Sequence, residues 1–104
     1  MIILGIDTSV SERITIFLDI DGKRHKYTKE SQDHTSQMLL PLIESSIKEH
    51  GISLEDITKI SFFVGPGSYT GLRVGAAIAN TLSYILRIPI NENPVGTIIE
   101  PIYE

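Results

Sequence analysis

The 104-residue sequence contains no cysteine and no tryptophan. Without thiols there is no disulfide staple and no thiolate metal site, and the composition suits a reducing compartment. Aromatic residues make up only 7%, so the core has to come from aliphatic side chains. Long apolar runs are also missing. The opening Met1–Ile6 stretch reaches Asp7 at once, too early for a signal peptide or a membrane helix, and the expected compartment is the cytoplasm. Cations are scarce too: nine Lys and Arg against thirteen Asp and Glu give a net charge of -4. Such a chain has no global field that would hold a polyanion.

What is present reads as an alternating α/β pattern. Met1–Ile6 is apolar on both pleat faces and predicts a buried strand. Arg13–Leu18 alternates and is β-branched, a second strand. Asp21-Gly22 is a hairpin signal, which makes Lys23–Thr28 a polar third strand suited to a sheet edge. Ser31 to Asp33 offers capping chemistry for a helix near His34–His50, with Leu39, Ile43 and Ile47 on one face and Gly51 as its stop. Pro41 either kinks that helix or confines its regular part to a start near Ser36–Met38. Lys59–Val64 is a fourth strand and Thr70–Leu86 a second helix. Arg87–Asn91 completes a fifth strand, before Asn93-Pro94 breaks the pattern.

Two hairpins followed by two helical crossovers predict a mixed five-stranded sheet of order 3-2-1-4-5 over residues 1–104, one lobe in all. Right-handed crossovers then put both helices on the same face. The other face keeps apolar residues from the first and fourth strands without a cover.

Gly65-Pro-Gly-Ser-Tyr-Thr-Gly-Leu-Arg-Val-Gly75 joins the fourth strand to the second helix. It is not a Walker A loop, because the required Gly-Lys-Ser/Thr is missing. Its glycines allow tight turns and close approach. The turn at Gly65, Gly67, Ser68 and Thr70 is therefore a candidate anion holder as well as a plain connector. Within the helix, Gly71, Gly75 and Ala79 recur at spacing four beside Ala76. Glycine inside a helix costs about 1 kcal/mol relative to alanine, so something bulky has to come close there. Two readings stand: packing inside the chain, or contact with a partner helix. Val74, Ile78 and Leu82 form a neighbouring stripe suited to the sheet. Arg73 can meet a phosphate or a carboxylate. Lys23, Arg24 and Lys26 read as a solvated edge, and His25 and His50 as surface residues.

Asp7-Thr8-Ser9 after the first strand, the Gly65–Gly75 stretch, and His34 with Leu39-Leu40-Pro41-Leu42-Ile43 together resemble the N-terminal lobe of the TsaB family, which is actin-like (ASKHA, ribonuclease-H-like). The resemblance implies a non-catalytic subunit in the synthesis of threonylcarbamoyladenosine in tRNA. Such a subunit docks on the transferase TsaD together with an ATPase, TsaE, forms homodimers in isolation, and meets tRNA only indirectly. It implies no cofactor and no metal. It also places the partner surface on the helices, at Gly71, Arg73, Gly75, Ala76 and Ala79 with Leu39 and Ile43. The catalytic relative holds a metal through two histidines four positions apart on its first helix. Here His34 is followed at that spacing by Met38, a poor ligand for such a metal. Asp7 stands where these folds place a metal-linked carboxylate, but the position at the end of the fourth strand is Gly65, so Asp7 reads as a turn cap. Relatives carry a second lobe, and no two-lobed nucleotide cleft is expected within this length. The alternative is a half-size metal-dependent hydrolase or phosphotransferase.

Overall fold

The computed structural model describes residues 1–30 and 35–102. The capping segment expected at Ser31–Asp33 and the residue His34 lie outside that range. Strands β1 (Ile2–Asp7), β2 (Arg13–Ile20) and β3 (Lys23–Glu30) precede helix α1 (Thr35–Glu49). A short 3-10 turn at Leu54–Asp56, strand β4 (Lys59–Phe62) and helix α2 (Tyr69–Leu86) follow. The strands lie in the order β3-β2-β1-β4, with β2 antiparallel to both neighbours and β4 parallel to β1.

Local chemistry fixes the ends of these elements. Asp21 and Gly22 both take positive φ, 49° and 89°, as a two-residue turn matched to the strand twist requires. Helix α1 closes on Gly51 at φ 67°. Ile52 N–H donates to the Ile47 carbonyl at 3.1 Å and Gly51 N–H to that of Lys48 at 3.0 Å, a Schellman closure. The helix runs through Pro41, so the Gln37 carbonyl forgoes its intrahelical donor.

Side-chain parity decides where the core sits. Ile14, Ile16 and Leu18 from β2, with Leu4 and Ile6 from β1, point to one face and are buried. Leu39, Ile43 and Ile47 from α1 and Leu72, Ala76, Ala79 and Leu82 from α2 meet them there. Both helices therefore cover the same face, as the crossover rule requires. The odd-numbered residues Ile3, Phe17 and Phe63 stay at least partly exposed on the other face.

The expected fifth strand is not formed. Ile90 makes a single parallel bridge to Ile60, and the main chain then turns away at Asn91 and Glu92, with φ of 50° and 61°. Pro89 cannot donate to a ladder, although its carbonyl accepts from Ile60 N–H at 3.0 Å. The Asn91 side chain takes over the next position: its Oδ1 accepts from Phe62 N–H at 2.7 Å and its Nδ2 donates to the Phe62 carbonyl at 2.9 Å. A carboxamide carries the same donor and acceptor pair as a peptide unit, so two hydrogen bonds of a strand form without the strand. Beyond Pro94 the chain returns alongside α2. There Asn80 treats Ile99 in the same manner, accepting from its N–H at 2.8 Å and donating to its carbonyl at 2.9 Å. Ile102 N–H ends the return on the Val64 carbonyl at 2.7 Å.

Candidate functional site

The two segments singled out by motif, Asp7–Ser9 and Gly65–Gly75, meet each other. Asp7 Oδ1 accepts from the Ser9 N–H at 3.0 Å and from the Ser9 hydroxyl at 2.6 Å, the self-capped turn that short polar side chains favour. Ser68 N–H donates to the Ser9 carbonyl at 2.7 Å. As the N-cap of α2, Ser68 accepts from Gly71 N–H at 3.3 Å through its hydroxyl. Thr8 lies 1% exposed between them, and its hydroxyl has no hydrogen-bond partner among the described residues.

The glycines follow from this contact. A Cβ on Gly67 would lie 2.6 Å from the Ser9 Cβ, and one on Gly71 would strike the Thr8 carbonyl oxygen. One on Gly75 would strike the Thr8 hydroxyl and come within 2.8 Å of the Phe62 ring. The bulky neighbour is therefore the chain's own β1 turn and β4. This corrects the placement of Gly71, Gly75, Ala76 and Ala79 on a partner surface, because all four are buried under α2. Leu39 and Ile43 are fully buried as well and belong to the same core. Of the residues expected at that surface, Arg73 is exposed. It lies over the Tyr69 ring at 4 residues' spacing and donates to the Tyr69 hydroxyl at 3.2 Å. The Val74, Ile78 and Leu82 stripe is only partly turned inward: Leu82 is buried, Val74 and Ile78 are half-buried.

At the candidate anion turn, Ser68 N–H and Gly71 N–H are both engaged within the chain. Gly65, at φ 114°, packs against Leu72 and the Ile102 carbonyl, while Thr70 is exposed. Asp7 has Ser9 as its hydrogen-bond partner. Met38, the residue in the second histidine position, is half-buried and packs on the core.

Surface features that sequence reasoning missed lie elsewhere. On α2, Tyr84 is 76% exposed and Ile85 65%, with Ile98 beside them on the returning segment at 74%. Tyr84, Asn80, Thr81 and Ile98 line a groove of about 320 Å³. The signal was present in principle, because Tyr84 and Ile85 are apolar residues that fall off the inward stripe. On the outer sheet face Phe17 lies over Gly5, within 3.2 Å of where a Cβ would stand. Arg24 in turn lies 4.7 Å above the Phe17 ring. With Ser61, Phe63 and Asn91 these residues border a concavity of about 450 Å³.

Arg24 also forks onto Asp19, at 2.8 and 3.0 Å. That hydrogen bond, more than the opposing desolvation, holds the Asp19 carboxyl below its ordinary value. A carboxylate lowered in the folded state stabilises the fold above its unfolded pKa of about 3.9 and loses that contribution as the pH falls through the lowered value. Asp19→Asn is therefore expected to flatten the acid limb of the stability curve below about pH 4, with little change near neutrality beyond loss of an exposed pair. Thermal melts of both proteins across that range check it.

Among the described residues, no helix is long and apolar enough to cross a membrane. Residues 27–93 match the family model TsaD, tRNA N6-adenosine threonylcarbamoyltransferase. The tRNA threonylcarbamoyladenosine biosynthesis protein TsaB of Bacillus subtilis is 35% identical over 91 residues, 88% of this chain and 40% of that protein. A tRNA N6-adenosine threonylcarbamoyltransferase of Pyrobaculum arsenaticum is 31% identical over 104 aligned positions, 86% of this chain and 31% of the relative. The solved structure of YeaZ from Pseudomonas aeruginosa superposes with a TM-score of 0.80 at 28% identity, covering 86% of this chain and 43% of that one. The chain thus spans about 40% of the length of the TsaB relative it matches. With 64% of its residues, 67 of 104, inside the matched family region, the chain belongs to the TsaD family, and within that family it resembles the N-terminal lobe of TsaB.

Proposed function

We propose that this chain is a non-catalytic partner subunit in the synthesis of threonylcarbamoyladenosine in tRNA, working in the cytoplasm by docking on a TsaD-like transferase alongside a TsaE-like ATPase. The TsaB relatives support the pathway. The observation that carries the docking is the apolar surface left on the helices after the core is filled. Tyr69, Tyr84 and Ile85 on α2 and Leu40 on α1 are all more than 40% exposed. Aromatic side chains, tyrosine among them, are enriched among the residues that dominate protein interfaces. Arg73, whose guanidinium carbon lies 5.5 Å from the centre of the Tyr69 ring, supplies a cation at the rim. In isolation the same surface pairs two copies of the chain. The contact residues differ from those first expected: the glycines shape the helix's seat on its own sheet, and the larger side chains on the opposite side meet the partner.

Replacing Tyr84 and Ile85 together by glutamate tests this. Both side chains are exposed, so the fold is expected to survive, with the circular dichroism spectrum and melting temperature unchanged. Co-purification with the same organism's TsaD-like transferase is expected to fall at least tenfold, the effect of losing about 1.4 kcal/mol or more at an anchor. Undiminished co-purification of the double variant would overturn the docking surface.

A further inference from the structure

We propose that strand β3 is a contact strip for the phosphate backbone of a structured RNA. Four of the nine cations of this acidic chain, Lys23, Arg24, Lys26 and Lys29, fall within seven consecutive residues that contain no acid. Those seven residues carry +4; since the total is -4, the rest of the chain sums to -8. Strand β3 as a whole ends on Glu30 and so carries +3, against -7 for the rest of the chain; it is a locally positive element on an acidic molecule, where a polyanion meets least repulsion.

The placement of the side chains supports contact rather than internal pairing. Among the described residues β3 is an outermost strand, paired with β2. Arg24 is committed to Asp19. Lys23, Lys26 and Lys29 are all exposed and form no ion pair among the described residues. In the pairing register Lys26 faces Phe17 on the outer side of the sheet, while Lys23 and Lys29 pair with Ile20 and Ile14 on the helix side. The three lysines thus alternate between the two sides of the edge, with their backbone positions at steps of about 10 Å, three residues of extended chain each. A ridge with point charges on both flanks suits a helical polyanion, whose phosphates lie on both sides of a groove. It suits a single acidic strand less well, because lysines on an edge oppose strand addition. The choice of RNA over an acidic protein rests on the pathway role proposed above and departs from the indirect tRNA contact that the resemblance implies; the location of the strip does not depend on that role.

The test is fluorescence anisotropy with the whole chain and a labelled tRNA transcript, in 20 to 200 mM potassium chloride. Three phosphate contacts give a slope of about -2.7 in log affinity against log salt, a loss of about 40-fold between 50 and 200 mM. The variant Lys23→Glu, Lys26→Glu, Lys29→Glu is expected to lose binding at every salt concentration while its melting temperature holds. Lys48→Glu, on α1, is expected to bind as the unsubstituted chain does. Three results would each discard the proposal: no binding at 20 mM salt, equal binding by the triple variant, or displacement of the tRNA by polyglutamate at matched charge. If co-purification with the transferase persists while tRNA binding fails, only the strip is rejected; if both fail, the pathway reading goes with it.

Discussion

Gly75→Leu is expected to unfold the chain or leave it barely folded, not to yield a well-folded monomer that has lost a partner. The reason is the seat of α2 on β1. A Cβ at position 75 strikes the Thr8 hydroxyl and comes within 2.8 Å of the Phe62 ring and 3.1 Å of the Thr8 Cβ, and Thr8 and Phe62 are themselves buried. Neither can retreat without moving a strand. Overpacking a filled core typically costs about 1–3 kcal/mol, and more where backbone must shift. A leucine brings three further carbons beyond that Cβ, against a total stability of about 5–15 kcal/mol for a domain of this size. Gly75→Ala is the graded version. It gains about 1 kcal/mol in helix propensity and still loses on balance, so its melting temperature is expected to drop by several degrees. Denaturant titration of both variants, read beside sedimentation, separates loss of fold from loss of association. An alanine variant more stable than the parent would show that the helix has room to lift.

Leu39→Ala is expected to destabilise by about 2–5 kcal/mol. Leu39 is fully buried and belongs to the cluster that joins α1 to β2 and α2. Its truncation leaves a cavity that the surrounding Ile and Leu side chains fill only in part. At low temperature, or with a stabilising cosolvent, the fraction still folded is expected to bind a partner as the parent does, because position 39 contributes no exposed surface. Chemical denaturation gives the first quantity, and pull-down of the transferase under stabilising conditions the second. The contrast with Tyr84→Glu, Ile85→Glu is the useful part: core variants change the amount of folded chain, surface variants the affinity of what is folded.

Much of the architecture was legible because the strand signals were strong and mutually consistent. Asp21-Gly22 forced a hairpin, the alternation of β2 set its buried face, and right-handed crossovers put both helices on one side. The fifth strand was misread for a definite reason. Ile88, Pro89 and Ile90 carry the apolar character of a strand, but two consecutive left-handed residues, Asn91 and Glu92, end it after one bridge. Side-chain substitution for a peptide group, by Asn91 and again by Asn80, leaves no periodicity to detect. The small-residue stripe was found correctly as a place of close approach. Its orientation was misjudged, because spacing four marks one flank of a helix without saying which neighbour fills it. Thr8 supplied the answer, and nothing in the sequence alone ties residue 8 to residue 75.

The carboxamide at Asn91 has a kinetic consequence at the sheet margin. Ile60 N–H is held by a main-chain carbonyl, that of Pro89, whereas Phe62 N–H two residues on is held by a side chain. Freeing the first requires the segment around residue 89 to peel from β4; freeing the second takes a torsional swing about the Asn91 side chain. Neighbouring amides on one strand are thereby released to solvent by different motions, a segmental opening and a rotamer jump. The border of this sheet is fastened by a latch beside a seam, and the latch opens without the seam.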